Sequence, residues 1–279
     1  MPSVSVNGVR LHYEEQGRGA ETIVFSHGLL WSAAMFEPQI RALAGEFRCI
    51  AWDHRGQGRS ESPSERSHQI EACYHDALAL LDHLGAPPCH FVGLSMGGFV
   101  GMRIAARHPE LLRSLTLMAT AADGEPRDNI GKYQKLNTVA RLFGVGVVAS
   151  KVMPIMFGPS FLTDPTRGEE RARWTNELRG NAKTIHRAVT GVIEREGCVD
   201  ELENIQCPTL ILHGDEDAAI SRARAQATHA ALRGSSFRAI ERAGHTMTVE
   251  NPSAVIQALR GFLAEQADPP GKRPTDAAR

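Results

Sequence analysis

One hexapeptide carries the first chemistry: Gly93-Leu94-Ser95-Met96-Gly97-Gly98. It follows an apolar run, His90-Phe91-Val92-Gly93, and opens a helix-period stretch from Phe99 to Arg107. A serine set between a strand and a helix, with glycine two residues to either side, fits the G-x-S-x-G nucleophile turn. The tight turn holds the serine in strained backbone torsions, so its neighbours must be small. It also exposes Oγ beside the N-terminus of a helix, with its free N–H groups and positive dipole end. Serine is a weak nucleophile at its own pKa, so it needs a base, and the base needs an orienting acid.

Chains with this turn place the acid and then the histidine downstream of the serine. Among twelve histidines, His245 follows the last strand-like run in Arg242-Ala243-Gly244-His245-Thr246 and precedes a C-terminal helical stretch. A loop there reaches over the strand ends, where open parallel sheets bind ligands. His213, at the end of another strand-like run, is the main rival. His54 sits in a turn, and His68, His75, His83, His108, His186 and His229 fall on helix faces. For the acid, His213-Gly214-Asp215-Glu216-Asp217 follows the run Thr209–Leu212. Asp217 lies far enough along the loop to swing toward the serine and is the first choice. Asp215 is placed to cap the turn, and Asp123, after an earlier strand, is the outside alternative.

These residues need a frame. Val4, Val6, Val9, Leu11 and Tyr13 alternate around Asn7-Gly8, which predicts a β-hairpin. Short continuous apolar runs follow at Thr22–Ser26, Cys49–Trp52, His90–Gly93, Ser114–Met118, Thr209–Leu212 and, more weakly, Phe237–Ile240. Helix-period stretches lie near 33–44, 68–84, 97–108, 221–232 and 252–266. The alternation predicts a mostly parallel sheet with helices on both faces. From 122 to 203 no convincing strand occurs, only helical stretches broken by Gly and Pro. Such a length is too great for a loop and predicts a structured helical cap. The expected organisation is a core of residues 1–121 and 204–266, a cap of 122–203 and a disordered polar tail, 267–279.

The core resembles the α/β-hydrolase superfamily, and within it the small esterase, lactone-hydrolase and cofactor-free haloperoxidase (perhydrolase) branch. The matching stretches are His27-Gly28-Leu29, Asp53-His54-Arg55-Gly56-Gln57-Gly58-Arg59-Ser60, Gly93 to Gly98, Cys207 to Asp217 and Ala243-Gly244-His245. The resemblance implies an eight-stranded, mostly parallel sheet. It implies an oxyanion hole made by the backbone N–H groups of Leu29 and Met96, with His27 bracing the loop. The Asp53–Ser60 turn reads as structural. A serine nucleophile argues against the epoxide hydrolases and haloalkane dehalogenases of this fold. His27-Gly28-Leu29-Leu30-Trp31 replaces the HGGPG-like loop of proline iminopeptidases, and the glycine-rich loop of carbon–carbon bond hydrolases is missing. Ala218-Ala219-Ile220-Ser221 stands where relatives often have proline, which leaves Asp215 open beside Asp217.

Composition excludes other classes. With 31 Lys+Arg against 32 Asp+Glu over 279 residues, and arginines scattered along the chain, no nucleic-acid surface is indicated. No apolar run is long enough to span a bilayer. The N-terminus lacks the basic and apolar regions of a signal peptide. Five cysteines without a C-x-x-C pair read as free thiols, and no Cys/His spacing fits a metal. The expectation is a cytoplasmic enzyme without cofactor or metal, acting on a small-molecule ester or lactone, with no signal for an oligomeric state. Leu30, Trp31, Met96, Met153, Ile155, Met156, Phe157 and Trp174 are candidates for an apolar pocket. Ester hydrolysis is the first reading and lactone hydrolysis the second. Perhydrolysis would be a side reaction, and a non-turnover small-molecule receptor is the reading from another class.

Overall fold

The hairpin forms around Asn7-Gly8, where φ of 47° and 73° gives the left-handed pair that a two-residue hairpin turn needs. The structure is a computed structural model, and it describes residues 2–66 and 68–266. The tail 267–279 lies outside the described residues.

The hairpin strands are β1 (Ser3–Val6) and β2 (Val9–Gln16). After β3 (Thr22–Ser26) come α1 (Glu37–Leu43), β4 (Arg48–Trp52), α2 (Ile70–His83) and β5 (Cys89–Leu94). Then follow α3 (Met96–Arg107) and β6 (Leu112–Met118). Five α-helices intervene before the next strand: α4 (Arg127–Phe143), α5 (Ala149–Met156), α6 (Pro159–Thr163), α7 (Gly168–Gly180) and α8 (His186–Ile193). The chain returns to the sheet with β7 (Thr209–Gly214), α9 (Arg222–Ala231) and β8 (Ser236–Ile240). It closes with α10 (Met247–Glu250) and α11 (Pro252–Gln266).

The eight strands form one sheet in the order β1-β2-β4-β3-β5-β6-β7-β8. Only β2 runs against the others. The inner strands β3, β5 and β7 are buried along their whole length, because helices cover both faces of a parallel sheet. Side chains divide with period two. Ile23, Phe25, Val92, Leu94, Leu210 and Leu212 enter one core with α1, α11 and part of the α4–α8 insertion. Val24, Phe91, Leu115, Leu117 and Ile211 enter the other with α2 and α3. Strand order reverses between β3 and β5, which opens a crevice at their carboxyl ends. Leu29 follows β3 and Ser95 follows β5, so both reach that crevice.

Candidate active site

Ser95 sits at φ 51°, ψ −109° as the residue before α3. A non-glycine residue in this region is strained, and the surroundings must hold it there. Its N–H donates to Met118 O at 2.8 Å, and its carbonyl accepts from Phe99 N–H and from Thr120 Oγ1. The flanking glycines are dictated by close approach. A Cβ on Gly97 would collide with the Ser26 backbone, and one on Gly93 with the carbonyl of Gly97. The signature spacing therefore packs the turn onto β3 as well as bending it.

His245 Nδ1 lies 3.1 Å from both oxygens of Asp217. The Asp217 carboxylate is wholly buried, and its Oδ1 also accepts from Ala219 N–H (2.8 Å) and Ile220 N–H (3.0 Å). That local Asx-type turn aims the side chain at the histidine without a proline in the loop. Asp215 lies exposed and accepts only a long bond from Ala243 N–H at 3.3 Å. Asp123 is turned outward and gripped by Arg224. His213 is buried within β7, where desolvation lowers its pKa and disfavours the protonated ring.

Ser95 and His245 open on one cavity of about 120 Å³, lined mainly by apolar side chains of α4, α5 and α8. With Nδ1 held by Asp217, Nε2 is the imidazole nitrogen left for proton exchange. Leu29 lines the same cavity. A Cβ on Gly28 would stand 2.9 Å from Leu94 Cδ2 and 3.5 Å from Ser95 Cβ, so this loop passes directly over the serine. The next N–H groups along the loop are committed, Leu30 to Gln57 Oε1 and Trp31 to Gly28 O. His27 is buried and pinned at both nitrogens, to Gly28 O at 2.7 Å and from His54 N–H at 2.9 Å. Burial lowers its pKa, so it braces the loop as a neutral ring. Asp53 accepts from Ala33 and Arg59 N–H groups, and Arg55 forks onto Asp76. Both hold structure away from the serine.

The pocket residues require a correction. Leu30, Ile155 and Met156 line the cavity, but Trp31, Met153, Phe157 and Trp174 do not, nor does the Met96 side chain. On α5, Val152, Ile155 and Met156 share the cavity face by their i, i+3, i+4 spacing, while Met153 and Phe157 are turned into the core. The Trp31 ring meets Phe157 at 5.6 Å and Trp174 at 5.4 Å, edge-on, and Phe157 stacks on Phe161 at 4.6 Å. These aromatics fasten the insertion to the loop after β3.

Three charged residues around the site carried no distinguishing sequence signal: Arg195, Glu125 and Glu250. Glu250 is 5% exposed. Its carboxylate accepts from Gly244 N–H (2.9 Å), Thr246 N–H (3.0 Å) and Gly158 N–H (2.7 Å). It thus clamps the backbone on both sides of His245 and ties that loop to the insertion. Burial pushes Glu250 up from 4.5 to about 7 against the opposing pull of these bonds. Between those values the native state holds the extra proton, so its contribution to stability falls as pH rises from about 4.5 to 7. The full span is worth on the order of 3 kcal/mol. Denaturant titrations across that range should show the slope in the wild type and its loss in Glu250→Gln; equal slopes would assign the pH dependence to other groups.

The family model described as serine aminopeptidase, S33, matches residues 18–252. The chain belongs to this α/β-hydrolase family. Similar hydrolases include a thermophilic esterase from Thermogutta terrifontis in a malate-bound structure. It has TM-score 0.88 and 27% identity, covering 96% of this chain and all of the other. The enol-lactonase from Burkholderia xenovorans LB400 has TM-score 0.87 and 28% identity, covering 94% of this chain and all of the other. A protein of Caulobacter sp. (strain K31) bearing the provisional name carbamate hydrolase RutD is 28% identical, covering 96% of this chain and all of its own length. No helix among the described residues is long and apolar enough to cross a membrane.

Proposed function

We propose that this α/β-hydrolase cleaves a carboxylic ester of a small or medium-sized substrate through an acyl-enzyme on Ser95. The observation that carries the reading is the His245 ring, held at Nδ1 by a buried Asp217 and sharing an apolar cavity with Ser95 on its strained turn. His245 Nε2 accepts the Ser95 proton as Oγ attacks the ester carbonyl. The oxyanion is held by the N–H groups of Leu29 and Met96; Met96, as the first residue of α3, has no intrahelical acceptor. Collapse expels the alcohol, which takes the proton from His245. Water then enters by the same route, and the carboxylic acid leaves. Asp217 stabilises the imidazolium at each stage.

The family description raises peptidase chemistry, but an aminopeptidase needs a free acidic partner for the substrate ammonium. Glu125, the carboxylate among the cavity residues, is held by Arg195 at 2.8 Å and Asn129 at 2.9 Å. Lactone hydrolysis is the second reading, supported by relatives named as enol-lactonases, one of them from Acinetobacter baylyi at 26% identity. Steady-state turnover of a p-nitrophenyl ester, lactone and carbamate panel tests the order. Multiple turnovers with esters ahead of the other two support the reading. A preference for carbamates would overturn the ester assignment, and binding with at most one turnover would favour a receptor.

Chain-length selectivity should reside in α4 and α5. Filling the cavity by Ala140→Leu is expected to penalise the longest accepted acyl chain, and Ile155→Ala to favour longer ones. Each change is worth about 1–3 kcal/mol of discrimination. Trp174→Ala should leave the chain-length profile in place while costing about 3–5 kcal/mol of stability. Rates across a homologous ester series, with unfolding curves for each variant, check both statements.

A further inference from the structure

Arg195 lies at the far end of the insertion, 93% buried by its 7% residual exposure, and it lines the cavity that holds Ser95 and His245. Its Nη1 is satisfied, by Glu125 Oε2 at 2.8 Å and the Val192 carbonyl at 2.8 Å. Its Nε and Nη2 are buried and have no hydrogen-bond partner. Leaving two charged donors unpaired in an apolar interior is costly. Desolvation accordingly pulls the guanidinium pKa down, and the Glu125 bond pushes it back up.

The identity of the orphaned pair is informative. Nε and Nη2 form the side-on fork of a guanidinium, matched in spacing to the two oxygens of a carboxylate. Among the described residues, Arg48 on Glu15, Arg55 on Asp76, Arg107 on Glu201 and Arg224 on Asp123 use that same fork on both oxygens of a carboxylate. In Arg195 the fork lacks such a partner and belongs to a residue of the substrate cavity. Its guanidinium carbon stands 4.2 Å from the centre of the Phe99 ring. Phe99 lies one turn of α3 beyond Ser95, about 6 Å along the helix, and shares the cavity lining.

We propose that Arg195 is a specificity-determining residue whose Nε/Nη2 fork receives a carboxylate on the substrate, a few carbons from the scissile carbonyl. The favoured substrates are then half-esters of short dicarboxylic acids. Glu125 holds the guanidinium through Nη1 and leaves the Nε/Nη2 edge unpaired. The proposal rests on the hydrolase reading and refines its substrate class.

The test uses three p-nitrophenyl esters of equal acyl length, ending in a carboxylate, a carboxamide or an isopropyl group. Wild-type kcat/KM is expected to favour the carboxylate over both others. In Arg195→Met the ratio of carboxylate to isopropyl substrate should fall about 100-fold or more, with Arg195→Lys intermediate. The double variant Arg195→Met/Glu125→Gln, which leaves no unpaired charge behind, should show the same loss of ratio. As a measurement independent of any variant, glutarate should inhibit the wild type at concentrations where butyrate does not. A wild type that treats the carboxylate and carboxamide alike, or equal inhibition by the two acids, would overturn the proposal. So would an unchanged ratio in a folded Arg195 variant. Failure of the hydrolase reading is distinct: none of the three esters would then turn over.

Discussion

Replacing Ser95 with alanine is expected to lower kcat by about 10⁴- to 10⁶-fold while leaving the protein folded. The methyl group keeps the Cβ that the turn already accommodates at φ 51°. The backbone bonds to Met118 O and from Phe99 N–H do not involve the hydroxyl. What disappears is the atom proposed to attack, and the nearby Ser26 Oγ is committed to His54 Nε2 at 2.9 Å. A fluorophosphonate probe should label the wild type and fail on the variant. Ordinary turnover by a folded Ser95→Ala protein would show that Ser95 is not the nucleophile.

The second large effect separates the acids. Asp217→Asn is expected to cost on the order of 10⁴ in kcat, because an amide donor toward Nδ1 favours the wrong imidazole tautomer. Asp215→Asn should change kcat little, since its carboxylate makes only the 3.3 Å bond from Ala243 N–H, at an exposed position. Kinetics on both variants at matched folding check the ranking. Reversal would transfer the orienting role to Asp215 and contradict the 3.1 Å geometry at Asp217.

The strands and the serine turn were legible because their signals are local. Continuous apolar runs at Thr22–Ser26 and Thr209–Leu212 fall on strands buried on both faces. The glycines around Ser95 are dictated by backbone approaches within a few residues and to the adjacent β3. The pocket was less legible, for a physical reason. Bulky apolar type announces burial but not which side of a helix is buried against what. Trp31, Phe157 and Trp174 are large enough to fill a pocket, and they fill the joint between insertion and core instead. The helix phase of α5 decides this, and it depends on where the helix begins and how it docks. Smaller residues such as Val148, Val152 and Ala140 line the cavity. Arg195 and Glu250 were hidden for the opposite reason. Charged residues in Glu194-Arg195-Glu196 and after Thr248-Val249 read as solvated until tertiary packing buries them.

A covalent acyl-enzyme on Ser95 is the intermediate that distinguishes this mechanism from direct hydrolysis by water. A p-nitrophenyl ester mixed with wild-type enzyme and quenched in acid within the first turnover should give a mass increase equal to one acyl group. Fragmentation should place that group on Ser95, and Asp217→Asn should form it far more slowly. A single adduct on Ser95, absent from Ser95→Ala, is expected. An acyl group found on another residue, or rapid hydrolysis with no adduct trapped when deacylation is slowed, would contradict it.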